Sequence, residues 1–248
     1  MKTSTRPPAS RRVASFRGNS VAAGALYLLT FASIPTVVLY NQVKSDPGFI
    51  AGGGAETPVI VGGVLEVIVA LACIGTAVAL FPVVKRQNEG LALGFVGMRI
   101  LEAAAIFAGV VALMSIVTIR QVGTGEDAGL IGDALLAQNT WTTLLGQGMI
   151  PAINALLLGP LMYRSRLIPR VLPVFGFIGA PFLLVGAVGV LFGLWGPASP
   201  VSAIGALGLT VWEFGMGAYL LTRGFRRDAI ARLVSPHARA ELTAGAER

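Results

Sequence analysis

Histidine, cysteine and charged residues are scarce in this chain of 248 residues. The single cysteine, Cys73, excludes an intrachain disulfide and a metal site built from several thiolates. The single histidine, His237, lies in a polar C-terminal segment, which excludes a haem held by two histidines and an intramembrane Ser–His protease. No zinc-protease, P-loop or dinucleotide motif is present, and no apolar run contains a lysine for a Schiff base. We therefore expect no catalytic residues of these kinds, no cofactor and no metal.

The fraction of charged residues indicates whether water or lipid surrounds the folded chain. Only 12% of the residues are charged, 54% are hydrophobic, and the mean hydropathy is +0.76. A soluble domain usually carries about 25% charged residues, which it needs to cover its surface. Lipid is the alternative solvent, and each helix that crosses it takes roughly 20 apolar residues. The composition predicts an integral membrane protein.

Six apolar runs account for most of the chain and predict an all-α bundle of six transmembrane helices. The predicted spans are residues 21–40, 59–84, 91–119, 141–163, 168–195 and 200–222. Each is long enough to cross a hydrocarbon core of about 30 Å at about 1.5 Å per residue. The predicted membrane domain is thus 21–222, with a basic leader at 1–20 and a basic tail at 223–248.

The positions of lysine and arginine predict the orientation. All but three of the 19 basic residues fall in the leader, the tail and the second and fourth loops. Six spans place these segments on one side of the membrane, and short basic loops stay in the cytoplasm. Both termini are therefore expected inside the cell, in the cytoplasmic (inner) membrane. This pattern also explains the net charge of +7 without a nucleic-acid partner.

Four ionisable residues lie inside the predicted spans: Glu66, Arg99, Glu102 and Glu213. A charge at the centre of a membrane helix costs about 2.5–3.5 kcal/mol, so these side chains should face the bundle interior and find partners. Arg99 and Glu102 are three residues apart on one helix face, and Glu213 should lie at a similar depth. We expect a cluster of these three with Glu66 further outward, and at least one glutamate protonated near neutral pH. The alternatives are a proton or cation relay, a ligand anchor, and a structural polar cluster.

Other polar and small residues in the spans predict helix contacts. Four polar side chains could extend the cluster: Tyr27, Gln147, Asn154 and Tyr219. Interhelical hydrogen bonds are their expected role. The fifth run is rich in glycine, which predicts close helix packing either within the chain or in a homo-oligomer.

Several segments resemble the DUF4386 family of bacterial membrane proteins. The resemblance rests on residues 80–103, including Arg99-x-x-Glu102, on residues 158–170, and on Trp212-Glu213 followed by residues 221–225. It covers about residues 18–227 in the family's order. It implies six spans and again points to Arg99, Glu102 and Glu213, but no activity is known for the family. Family members often carry a histidine in the fourth span, where this chain has Gln147.

Three functions remain open from the residues. The first is a non-enzymatic membrane protein that binds a small molecule or lipid, or assists a membrane partner. The second is a small proton- or cation-coupled transporter or channel that uses Glu102 and Glu213 with Arg99. The third is a lipid-modifying enzyme based on carboxylates. Membrane lipids are the expected partners in all three.

Overall fold

A computed structural model describes residues 9–46, 48–123, 125 and 127–235. His237 and Glu126 lie outside the described residues. A 3₁₀ turn, Thr30–Ser33, follows the first helix, and a π-helical segment, Leu144–Met149, joins the sixth and seventh. The helices are α1 (Ala9–Leu29), α2 (Thr36–Leu39), α3 (Asn41–Ser45), α4 (Thr57–Val84), α5 (Glu89–Val122), α6 (Ala128–Thr143), α7 (Ile150–Ser165), α8 (Val171–Leu191), α9 (Pro200–Thr222) and α10 (Arg227–Val234).

The predicted all-α bundle of six spans is confirmed. Within the described residues, six helical stretches are long and apolar enough to cross a membrane, and no strand is present. We number them in chain order: spans 1 to 6 are Phe16–Leu39, Thr57–Val84, Glu89–Val122, Ala128–Ser165, Val171–Leu191 and Pro200–Thr222. The orientation in the membrane stays a prediction.

Helix bounds differ from the apolar runs where polar residues or glycines decide them. Helix α1 begins at Ala9, inside the segment predicted as a leader. Span 4 begins at Ala128 because α6 continues into the π-helical segment without a break. Helix α8 ends at Leu191, earlier than predicted, because Gly193 adopts a φ of 67° that reverses the chain.

The two ends of the bundle differ in charge. We call the end where spans 1 and 6 meet the short loops after spans 2 and 4 the basic end. There Arg17 donates to the carbonyl of Thr222, and Arg86 lies over the ring of Phe16. The opposite end, which carries the connections after spans 1, 3 and 5, is the loop end.

A break in span 1 separates α1 from α2. Pro35 cannot donate a backbone hydrogen bond, and three hydroxyl side chains bond to backbone carbonyls one turn earlier. Thr30 and Ser33 donate to the carbonyls of the residues three positions before them, at 2.7 and 3.1 Å, and Thr36 Oγ1 lies 2.6 Å from the carbonyl of Ser33. The break turns polar side chains of an otherwise apolar span toward the bundle interior.

Span 4 contains a second irregularity. Between Leu144 and Met149 the helix is π-helical, and the N–H of Ile150 bonds to the carbonyl of Leu145, five residues earlier. Pro151 has no N–H to close the normal bond to Gln147, which frees this stretch of backbone to widen. The wider turn presents Gln147 to the bundle interior.

Glycines bring α8 and α9 into backbone contact. A Cβ on Gly179 would come within 2.8 Å of the backbone N of Leu209, and one on Gly208 within 2.7 Å of the Cα of Gly179. Only residues without side chains permit this approach. Gly179 and Gly208 therefore serve packing within the chain.

Candidate functional site

A guanidinium and two carboxylates meet in the middle of the bundle. Arg99 Nη1 lies 3.1 Å from Glu102 Oε2, one turn along α5, and Arg99 Nη2 lies 2.9 Å from Glu213 Oε1 on α9. The side chain of Arg99 is 1% exposed, that of Glu102 7% and that of Glu213 16%. We call Arg99, Glu102 and Glu213 the triad. Of its members, Glu213 is the one with most access to space around it.

Aromatic rings and a thiol hold the Arg99 side chain in place. Its guanidinium carbon lies 4.8 Å from the ring centroid of Tyr27 and 5.6 Å from that of Phe95. Arg99 Nη1 also contacts the sulfur of Cys73 at 3.6 Å. A guanidinium stacks on rings through its planar, weakly hydrated face. Spans 1, 2 and 3 thus fix the cation that the carboxylates require.

Glu102 receives a second donor from span 4. Asn154 Nδ2 lies 2.7 Å from Glu102 Oε2, the same oxygen that accepts from Arg99. Asn154 is 2% exposed, so this bond is buried. A charged acceptor with two donors in such a site is strongly oriented. Asn154 therefore fixes the direction of the Glu102 carboxylate.

The triad lines a cavity rather than a sealed core. This cavity, the triad cavity, has a volume of about 310 Å³, and most of its remaining wall is apolar. Thr30 and Ser33, from the break in span 1, and Thr210 of α9 add hydroxyl groups. A cavity of this size, apolar with a few convergent polar groups, is typical of small-molecule sites.

Glu66 lies apart from the triad and has its own partners. Its carboxylate accepts from Thr36 Oγ1 at 2.9 Å and from Gln147 Nε2 at 2.7 Å. Both donors come from the irregular segments, Thr36 from the break in span 1 and Gln147 from the π-helical turn. The residue is 5% exposed. The two breaks therefore create a second polar site inside the bundle.

Two further cavities lie between these groups and the loop end. The Glu66 chamber, about 100 Å³, is lined by Glu66, Thr36, Tyr40, Asn139 and Gln147 among others. A loop-end cavity of about 680 Å³ has a mostly apolar wall, formed mainly by spans 4, 5 and 6. Gln147 lies in the wall of all three cavities.

Lys44 stands at the loop end of this system. It lines both the Glu66 chamber and the loop-end cavity, and its ammonium lies 5.6 Å from the ring centroid of Tyr40. Desolvation lowers the pKa of Lys44, and the charge of Glu66 partly offsets this effect. A positive group thus faces any solute that approaches Glu66 from this end.

The structure places most of the predicted polar residues at these two sites. Tyr27 and Asn154 join the triad, whereas Gln147 joins Glu66. Tyr219 does not join either site and packs against the hydrophobic cluster that contains Trp212 and Leu220. Tyr219 lies nearly two helical turns beyond Glu213 along α9, toward the basic end, so it is too far along the helix to reach the triad.

Three participants were missed from the sequence. Thr36 and Cys73 are isolated residues with one polar atom each within apolar runs. Such residues occur in many spans and give only a weak indication of a site. Asn139 lay outside the predicted fourth span, which began at residue 141, and only the full length of span 4 brings it into the membrane. Within the described residues, no group of three or more His, Cys, Asp or Glu side chains could hold a metal ion.

Comparison with known proteins gives a family but no activity. No curated protein and no solved structure was found to match the chain. Residues 22–224, which include both polar sites, match the family described as a domain of unknown function, DUF4386. The resemblance seen around Arg99-x-x-Glu102 and Trp212-Glu213 is therefore confirmed, and the chain belongs to the DUF4386 family.

Proposed function

We propose that this protein binds a small amphipathic molecule with a cationic group in the triad cavity and does not alter it chemically. The observation that carries the proposal is the placement of two carboxylates and one guanidinium on the wall of an otherwise apolar cavity of about 310 Å³. A purely structural ion cluster would be expected to pack without such a space, because interiors leave few voids. The apolar wall suits the body of the ligand.

The charge of the triad favours a cationic group. Two carboxylates share one guanidinium, so the triad carries one unit of negative charge when all three groups are ionised. In a low-dielectric cavity such a charge is held only with a proton or another cation. A ligand ammonium placed beside Glu213, the more exposed carboxylate, supplies that cation.

The setting of the site completes the proposal. We place the chain in the cytoplasmic (inner) membrane with both termini on the cytoplasmic side and lipids around the six spans. The basic residues gathered at one end of the bundle support this orientation. The triad then lies within the hydrocarbon region, where a ligand reaches it from the lipid or along the loop-end cavity.

The test compares ligands that differ only in charge. The purified chain, in lipid nanodiscs, is titrated with hexylamine, hexanol and hexanoate while the Tm is followed. Hexylamine should raise the Tm more than the other two, because a ligand that binds only the folded state stabilises it, by about 2.7 kcal/mol at a concentration of 100 Kd. Glu213→Gln should abolish the difference between the three compounds, and Glu89→Gln, an exposed carboxylate at the basic end, should retain it. Equal shifts with all three compounds, or an unchanged preference in Glu213→Gln, would reject the proposal.

A proton- or cation-coupled transporter is the second candidate, and one observation favours it. Gln147, Leu183 and Ala206 line both the triad cavity and the loop-end cavity, so a solute could pass between them. Liposomes with the native chain would then show flux of hexylamine or protons that Glu102→Gln and Glu213→Gln reduce. Flux equal to that of empty liposomes would remove transport and leave ligand binding.

A further inference from the structure

The Glu66 carboxylate is buried and forms no ion pair within the described residues. It is 5% exposed and accepts hydrogen bonds from two neutral donors, Thr36 and Gln147. Across the described part of the chain, no basic side chain lies within ion-pair distance of it. A carboxylate removed from water requires a positive partner or a proton, because two neutral hydrogen bonds do not offset the loss of hydration.

Two more buried oxygen atoms, on residues that line the same chamber, have no hydrogen-bond partner among the described residues. Asn139 donates its amide N–H to the carbonyl of Gly109 at 3.1 Å, which leaves its Oδ1 without a hydrogen bond among the described residues. The hydroxyl of Tyr40 is likewise unpaired among them. Asn139 is 4% and Tyr40 6% exposed, and both line the Glu66 chamber. Unpaired buried oxygen atoms are rare and point to a bound group.

The polar lining of the chamber is rich in acceptors. Glu66 and Asn139 present acceptor oxygens, and Tyr40 presents an oxygen that can accept or donate. Gln147 and Asn139 each give one amide N–H to the bonds described above, and the hydroxyl of Thr36 lies within hydrogen-bond distance of both Glu66 and the Ser33 carbonyl. Oxygen ligands with one negative charge among them are what a hard cation prefers. A volume of about 100 Å³ holds such an ion with one or more waters.

We propose that the Glu66 chamber binds a monovalent inorganic cation of the size of Na⁺ or K⁺, with oxygen atoms of Glu66, Asn139 and Tyr40 as its protein ligands. The single carboxylate selects a monovalent over a divalent ion, because divalent sites in proteins recruit more anionic ligands. The site is separate from the triad, and the proposal does not depend on the ligand proposed there.

Lys44 acts as a competing charge at this site. Its side chain lines the same chamber, and its ammonium interacts with Glu66 only from beyond ion-pair distance. Because like charges repel, the ammonium weakens cation binding from the loop end. Removal of this charge should strengthen binding, an effect that a general loss of structure would not produce.

The experiment measures saturable binding of ²²Na⁺ to the purified full chain in nanodiscs, with N-methyl-D-glucamine chloride keeping the ionic strength constant. The native chain should bind about one ion, displaceable by NaCl, and a KCl competition curve ranks the two ions. Glu66→Gln should abolish binding, and Asn139→Ala or Tyr40→Phe should weaken it about tenfold, as the loss of one neutral ligand implies. Lys44→Gln should bind more tightly than the native chain, and Glu89→Gln, an exposed carboxylate at the basic end, should bind as the native chain does.

Several results would overturn the proposal. Absence of saturable ²²Na⁺ binding by the native chain would mean that the chamber holds only water. Native affinity in Glu66→Gln would place any bound ion elsewhere. If Glu66→Gln does not fold, Tyr40→Phe and Lys44→Gln decide the matter, since they remove one hydroxyl and one exposed charge. Unchanged affinity in both would reject the assigned ligands.

Discussion

At the scale of single residues, Arg99 determines whether the two triad carboxylates can remain buried. Its guanidinium contacts both Glu102 and Glu213 and lies between the rings of Tyr27 and Phe95. A lysine cannot replace it, because one ammonium does not offer two planar donor pairs and a stacking face. The electrostatic and packing roles of Arg99 can therefore be separated by substitution.

Arg99→Met should lower the free energy of unfolding by about 3–5 kcal/mol, since it leaves buried carboxylates without their cation. Chemical denaturation in detergent micelles provides the measurement. The triple variant Arg99→Met, Glu102→Gln, Glu213→Gln removes the charges together and should recover much of this loss. A triple variant less stable than Arg99→Met alone would show that packing, rather than unpaired charge, accounts for the effect.

The sequence predicted the triad because its geometry is mostly local. Helical spacing placed Arg99 beside Glu102, and counting residues from the span ends placed Glu213 at their depth. It placed Glu66 further outward but could not give its partners, because these depend on how far each helix is rotated about its axis. Rotation depends in turn on the breaks near Pro35 and Pro151, whose effect on neighbouring side chains is set by tertiary contacts.

At the scale of helices, the irregular segments of spans 1 and 4 build the sites, and regular α5 supports them. Span 4 approaches α5 closely at Gly109, whose carbonyl accepts from Asn139. A Cβ at Gly109 would lie 2.9 Å from Thr142 Oγ1 and 3.1 Å from Asn139 Nδ2. The absence of a side chain at Gly109 thus permits the contact that orients Asn139. A glycine in an apolar run does not show in the sequence which residue of another span it contacts.

Gly109→Ala should destabilise the protein by about 1–3 kcal/mol, because the added methyl overpacks the contact between spans 3 and 4. Gly97→Ala is the matched control on the same helix, since a Cβ there meets nothing within 4 Å. It should be neutral or stabilising, as alanine favours the helix by about 1 kcal/mol over glycine. Thermal unfolding of both variants in the same detergent compares them. Equal losses of Tm would show that a general helix effect, rather than this contact, controls stability.

At the scale of the whole molecule, the even number of spans places the two ends of the membrane domain on one side. The structure has this even number of spans among its described residues. The sequence predicted it from six apolar runs alone, because the length of an apolar run is a strong local signal. Neither parity nor packing says which side faces the cytoplasm. The asymmetry of charge predicts that the basic end faces the cytoplasm, since Arg17, Lys85 and Arg223 lie toward one end of the bundle.

Labelling of introduced cysteines tests the orientation. Gly125→Cys places an exposed thiol at the loop end, and Glu89→Cys places one at the basic end, at the first residue of α5. A membrane-impermeant maleimide should label Gly125→Cys in intact cells and Glu89→Cys only after permeabilisation, because basic loops resist transfer across the membrane. The native chain is the control, since Cys73 is 1% exposed and lies within span 2. Labelling of Glu89→Cys alone in intact cells would invert the orientation, and labelling of both would contradict the even number of spans, because Gly125 and Glu89 lie at opposite ends of span 3.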